Sequence, residues 1–167
     1  MIVPAVYLLA GFVAGQRLAE LWIARRNTRH LLAAGAVEHG ARHYPLFILL
    51  HASWLAAIVV FTPPYTEPNM ILVALFLALQ AARLWVVASL GRFWTTRIIR
   101  LPGATLVRRG PYRFIRHPNY WIVAGEIALL PLAFGQWEIA VGFSLASAAL
   151  TLHRIRIEEA ALADRPG

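Results

Sequence analysis

The amino-acid sequence predicts an all-α integral membrane protein of about five transmembrane helices, the last two forming a helical hairpin. Three observations carry this. Of the 167 residues, 59% are hydrophobic, and the mean hydropathy is +0.60, more apolar than an ordinary soluble domain of this size. Several segments approach the ~20 apolar residues that cross a hydrocarbon core as helix. The arginines gather in two connections and the tail and avoid the other two connections, as the orientation rule for short loops requires. A soluble bundle would need polar faces that these helices lack.

The first span runs from about Ile2 to Ile23. Its opening, MIVPAVYLLAGFVAGQ, has no basic stretch of the kind that precedes a cleaved signal, so it reads as a span that stays in place. Residues 24–43, ARRNTRHLLAAGAVEHGARH, read as a short amphipathic helix on the cytoplasmic interface. The second span covers Tyr44 to Thr62 and closes at TPPYTEP, a proline-rich turn. The third runs from Asn69 to Leu90, and a polar connector follows. The fourth opens at His117-Pro118 and reaches Phe134; Gly135-Gln136 breaks the pattern, and the fifth runs from Trp137 past Leu152. The chain reads as one domain, residues 1–167. Three N-terminal helices occupy 1–90, and the connector, hairpin and tail occupy 91–167.

Charge sets the orientation. Arg25, Arg26, Arg29 and Arg42 lie in the first loop, and Arg92, Arg97, Arg100, Arg108, Arg109, Arg113 and Arg116 in the connector. Arg154, Arg156 and Arg165 follow the last span, while Thr62–Pro68 and Gly135–Gln136 hold no basic residue. The N-terminus is therefore expected outside and the C-terminus in the cytosol. The net charge of +8 reads as orientation rather than nucleic-acid binding, because the arginines flank apolar spans instead of lining a soluble face. The absence of cysteine excludes disulfides, thiolate metal sites and cysteine nucleophiles.

Most of the polar chemistry lies in the connector and tail. In GPYRFIRHPNY, residues 110–120, Gly110-Pro111 makes a tight bend, and Pro118 suits the first turn of a helix because it has no N–H to leave unpaired. The free amides behind it, with Arg113 and Arg116, form an anion site at the membrane edge. A membrane-surface turn with snorkelling arginines fits the same residues. In the tail, Arg154 and Glu158 are four apart and Arg156 and Glu159 three apart, spacings at which each pair meets on a helix. A solvated, salt-bridged helix end is one reading. The other is one half of a site for a ligand carrying both carboxylate and ammonium, the carboxylate toward the amides and the ammonium toward Glu158 or Glu159.

Inside the spans, Glu126 lies ~12 Å deep and Arg83 ~10 Å deep at 1.5 Å per residue. Their similar depth favours an ion pair, since charges in a membrane need partners. Glu126 also lies ~180° around the helix from His117, facing away from the motif histidine. His39 and His43 have a spacing that zinc uses, but EHGARH is not HExxH and no compact ligand cluster accompanies it, so no metal site is expected.

RRGPYRFIRHPNY with the downstream RIRIEEAAL resembles the isoprenylcysteine carboxyl methyltransferase family, integral membrane enzymes that use S-adenosylmethionine. It is similar also to the phospholipid N-methyltransferases that share the RHP and Glu-Glu elements. The N-terminal RLAELWIARRNTRHLLAAGAVEHGARHYP and SLGRFWTTRIIRLPGA resemble a small bacterial branch. Some members of that branch methylate the acidic hydroxyl of alkylpyrones or phenolic lipids. The resemblance implies a bacterial inner-membrane setting and S-adenosylmethionine as cofactor. It implies cofactor contacts at His117, Pro118, Tyr120, Glu158 and Glu159, with backbone contacts from Leu106, Val107, Gly110, Pro111 and Tyr112. Ile122 stands where the family often has glycine two residues after the motif tyrosine.

On that resemblance, the expected reaction is in-line methyl transfer to an aligned oxygen anion with water kept out. The acceptor is a lipophilic acid (a prenylcysteine-like carboxylate, an alkylpyrone or a phenolic lipid hydroxyl) that reaches the site from the bilayer. Arg154 is the candidate for holding the acceptor's anion, since arginine offers a planar donor fork. Trp94 and Arg97 are candidates for shaping its tunnel. Phospholipid or amine N-methylation is the alternative within the class, and an anion-transport or scaffold protein is the alternative outside it.

Overall fold

The computed structural model describes residues 3–40, 44–105 and 107–163. Five α-helices account for most of them: α1 (Ala5–Ala33), α2 (Tyr44–Phe61), α3 (Met70–Leu90), α4 (Pro118–Ala133) and α5 (Trp137–Ala163). Two short strands, β1 (Val37–His39) and β2 (Ile98–Arg100), pair antiparallel with Glu38 opposite Ile99. The sequence did not signal this pairing.

The first correction concerns α1. The helix does not stop at Ile23 to begin a separate interfacial helix over 24–43; it continues unbroken to Ala33. Nothing between Ala24 and Ala33 stops a helix. Gly35, with φ of 90°, closes it as a left-handed glycine does. The amide of Ala36 then reaches back to the carbonyl of Leu31 at 3.0 Å, and the following residues form β1.

α3 begins on Asn69, whose side chain accepts from the amides of Ile71 and Leu72, a cap that occupies two otherwise orphaned donors. The Asn69 amide donates to the Ala133 carbonyl at 2.7 Å, tying the start of α3 to the end of α4. Pro118 holds the first position of α4 as expected. α3 and α4 approach closely where Gly125 meets Leu79; a β-carbon there would lie 2.6 Å from the leucine's methyl. α5 follows α4 after a short turn through Gly135 and packs against both α4 and α2.

Val6, Trp54, Ile58, Phe76, Ile127 and Leu130 form the main core between the helices. The outward faces are equally apolar, with Leu18, Trp22, Leu49, Val60, Ile71 and Leu145 each more than 60% exposed. A soluble monomer rarely shows contiguous apolar patches on that scale. Three helical segments, Ala5–Ala33, Tyr44–Phe61 and Met70–Phe93, are long and apolar enough to cross a bilayer.

Between α1, α3 and α4 lies a buried charged cluster. Arg83 donates to Glu20 through two nitrogens, Nε to Oε1 and a terminal nitrogen to Oε2, each at 2.6 Å. The expected Arg83–Glu126 pair is present at 3.3 Å, but Glu20 is the closer partner. Arg17 bonds both Glu20 and Glu126, and Gln80 donates to Glu126 at 2.9 Å. Two arginines thus face two glutamates, and Glu20, Gln80, Arg83 and Glu126 are all buried. The arrangement fits the cost of unpaired charge in a membrane interior.

The connector after α3 is stitched to this frame. Gly91 caps α3, its amide donating to the carbonyl of Val87, and Arg109 Nε donates to the carbonyl of Ser89 at 2.7 Å. Gly110, with φ of 58°, packs against α3 so tightly that a β-carbon would sit 2.1 Å from Ser89 Oγ and 3.2 Å from Trp85 Nε1. Gly110→Ala is therefore expected to cost about 1–3 kcal/mol, the usual range for forced left-handed backbone, and to lower the thermal midpoint in detergent. An unchanged midpoint would show that this bend is not needed.

Candidate functional site

A cleft of about 770 Å³ opens where the connector, the start of α4 and the end of α5 converge. Of the residues singled out from sequence, Trp94, Arg97, Val107, Tyr112, His117, Tyr120, Arg154, Glu158 and Glu159 line it. Gly110, Pro111 and Pro118 do not; they build the bend and the helix start behind it, Pro111 and Pro118 both buried. Leu106, His43, Arg42 and Arg165 lie outside the described residues.

The tail side chains reach the cleft because α5 continues past the apolar core without a break. Its last turns place Arg154 and Glu158 opposite Tyr120 on α4. Arg154 and Glu158 do not meet directly, as their spacing suggested: the Tyr120 hydroxyl stands between them. It accepts from Arg154 Nε at 2.9 Å and donates to Glu158 Oε2 at 2.6 Å. A terminal nitrogen of Arg154 donates to the Thr96 carbonyl at 2.9 Å, and the guanidinium lies 5.4 Å from the Phe47 ring of α2. Arg154 is therefore oriented from three elements. His117 stacks on Tyr120 with ring centroids 5.3 Å apart, and its Nδ1 is 3.8 Å from Glu158 Oε2.

The opposite wall comes from the connector. Asn27 of α1 donates to the carbonyls of Gly91 and Trp94, and Thr96 Oγ1 donates to the Tyr44 hydroxyl at 3.0 Å. Arg97 pairs with Glu38 at 3.0 Å, so the two strands close one edge of the cleft and join the first loop to the connector. Tyr112 is held in its phenol form: burial first, then the charge of Glu158, push its ionisation above the ordinary tyrosine value.

The lining carries Arg97, Arg100, Arg108, Arg116 and Arg154 against Glu158 and Glu159. A cationic field thus covers most of the cleft, with one acidic corner. Sequence reading had not picked out Asn119, although it lies inside the His-Pro-Asn-Tyr motif. Its Oδ1 is buried with no partner among the described residues, and the residue lines the cleft, so it offers an acceptor for a ligand's donor. No cluster of His, Asp or Glu able to hold a metal ion occurs among the described residues.

Tyr120→Phe removes the hydroxyl that receives one charged group and serves another. The expected loss is about 1.5–3 kcal/mol, typical of hydrogen bonds to charged partners. Equilibrium unfolding in detergent would show it, and an unaltered stability would mean that this bridge contributes nothing.

Comparison with known proteins gives the family. The model of the isoprenylcysteine carboxyl methyltransferase (ICMT) family matches residues 71–164, more than half of the chain, from α3 through the tail. The chain is 36% identical over 160 residues to the uncharacterized protein YpbQ of Bacillus subtilis (strain 168), covering 93% of this chain and 95% of that one. It is 28% identical over 152 residues to an uncharacterized protein of Haemophilus influenzae, covering 87% and 88%. No solved structure matches. With the apolar helices and the conjunction of RHPNY with the tail carboxylates, the match establishes that the chain is an integral membrane protein belonging to the isoprenylcysteine carboxyl methyltransferase family.

Proposed function

We propose that this protein is an S-adenosylmethionine-dependent O-methyltransferase acting on a lipophilic oxygen acid, with Arg154 holding the acceptor's anion. The observation that carries this reading is the charge pattern of the cleft: a fixed guanidinium and an arginine-rich wall beside a single acidic corner. The residues fit the cofactor. Glu158 and Glu159 suit its ammonium, the amides at the start of α4 suit its carboxylate, and His117, Tyr112 and Tyr120 offer aromatic and hydrogen-bonding surface. S-adenosylmethionine supplies a methyl group activated by a sulfonium.

The protein's own part is alignment. A carboxylate or acidic enol is already ionised near neutral pH, so no strong base is required. Arg154 has two of its nitrogens tied to Tyr120 and Thr96, which fixes the plane of its fork before the acceptor arrives. An amine acceptor would meet mostly positive charge, so O-methylation is favoured over N-methylation. The acceptor's tail remains in lipid and its head reaches the cleft from the bilayer.

The topology follows from the same reading. α4 and α5 complete five passages as a helical hairpin, with the N-terminus outside and the arginine-rich connector and tail in the cytosol of a bacterial inner membrane. At 16 residues, α4 spans ~24 Å and needs a thinned bilayer or protein cover at one end.

Purified protein is expected to bind labelled S-adenosylmethionine saturably, and Glu158→Ala to weaken that binding at least about ten-fold, the loss of one charge-assisted contact. Arg154→Ala is expected to abolish turnover while leaving cofactor binding largely intact. Methyl-labelled cofactor incubated with prenylcysteines, alkylpyrones, alkylresorcinols and phospholipids would name the acceptor through its labelled product. Absence of saturable binding, with no effect of Glu158→Ala, would return the protein to the transport or scaffold class.

A further inference from the structure

The buried cluster of Arg17, Glu20, Arg83 and Glu126 takes no part in the cleft, yet it touches one of the cleft's walls. The guanidinium carbon of Arg83 lies 5.9 Å from the centre of the Trp94 ring, within cation–π range. Trp94 is only 4% exposed and lines the cleft. Asn27 holds its carbonyl, Ala24, Val86 and Ile122 pack with it, and its indole N–H has no partner among the described residues. The ring is thus a partition, with the charged cluster behind it and the cleft in front.

Stability alone does not account for such a cluster. A buried ion pair can often be replaced by apolar residues of similar volume without loss of stability. Its distinctive property is geometric: the two bonds from Arg83 to Glu20 fix the guanidinium plane, and Glu126, held by Arg17 and Gln80, fixes a third nitrogen. Gln16 Oε1, Arg17 Nε and Gln80 Oε1 remain buried without partners among the described residues. A network kept at that cost defines a position more than it lowers an energy.

We infer that the Arg17–Glu20–Arg83–Glu126 cluster is a positioning device that holds Trp94 as the acceptor-facing wall of the cleft. It governs the alignment of the acceptor and leaves the cofactor's corner alone. This rests on the methyltransferase reading above. Arg83 and Glu20 are positioning residues, since they act through Trp94 and touch neither partner of the reaction.

The test uses the full-length protein in detergent or nanodiscs, labelled with 5-fluorotryptophan, the Trp94 resonance being assigned by its loss in Trp94→Phe. Glu20→Leu/Arg83→Met removes one pair and leaves Arg17 with Glu126, so charge balance is kept. The expected result is a shifted Trp94 resonance and about a ten- to hundred-fold fall in acceptor kcat/KM, the scale of a small misplacement near the chemistry. The dissociation constant of S-adenosylmethionine should stay within about two-fold, well under the ten-fold that 1.4 kcal/mol would bring. Arg83→Lys keeps the charge but not the fork; it should move the resonance in the same sense, and it decides the question where the double variant fails to fold. An unmoved Trp94 resonance, or acceptor kinetics equal to the unaltered protein's, overturns the inference. Failure of the unaltered protein to methylate any acceptor would overturn the functional reading instead, while the resonance would still report whether the cluster holds Trp94.

Discussion

Charge in hydrocarbon must be paired, and in this protein that requirement organises the helices. Arg83 on α3 is satisfied only when Glu20 on α1 and Glu126 on α4 are brought to the same depth. Arg17 then neutralises what remains. Apolar packing between lipid-facing helices has little directional preference, because lipid tails compete equally well for the same surface. The cluster supplies the register that apolar contact does not. Once α1, α3 and α4 are set, Asn27 can reach the turn after α3, and Gly110 can lie against Ser89 and Trp85.

The cleft stands on that frame, but its polar groups come from segments far apart in sequence. Tyr120 opens α4, Arg154 and Glu158 end α5, Thr96 belongs to the connector and Phe47 to α2. One hydroxyl joins a cation to an anion, and a backbone carbonyl holds the cation from the other side. This division leaves an acidic corner beside an arginine wall, with five lining arginines to two glutamates. The proposed function, with a cationic methyl donor and an anionic acceptor, would use that asymmetry.

Legibility in the sequence followed the range of the interactions. The helix start at Pro118 was readable because it depends on neighbours within a turn, and His117, Tyr120 and Glu158 came forward through a compact motif and the family it resembles; the cap at Asn69 was not read, only the start of the span there. The Arg83–Glu126 pair was readable from depth alone. Glu20 and Arg17 were not, because a span ending at Ile23 places them near its edge, where charges need no partner. The uninterrupted helix to Ala33 moves them inward, and Gly35, the residue that stops it, was in plain view. The strand pair at Glu38 and Ile99 depends on contacts across some sixty positions (the Arg97–Glu38 separation is 59), which local pattern does not encode. The Tyr120 hydroxyl between Arg154 and Glu158 is likewise a three-body arrangement, and i,i+4 spacing describes only two of its members.

α5 carries a mechanical consequence. It runs from Trp137 to Ala163 as one helix, so the turn at Gly135 and Glu158 in the cleft belong to a single rod, which in the proposed five-passage topology joins the two sides of the membrane. At 1.5 Å per residue the distance between them is ~32 Å, close to the ~30 Å of a bilayer's hydrocarbon core. α4, the rod's neighbour, is much shorter and begins at the cleft. In the proposed topology a change in bilayer thickness bears differently on a long helix and a short one, and the bonds from Tyr120 to Arg154 and Glu158 are the ones that join the two. On that topology the lipid surroundings become a ruler laid along α5, one that reaches the cleft without touching any residue in it.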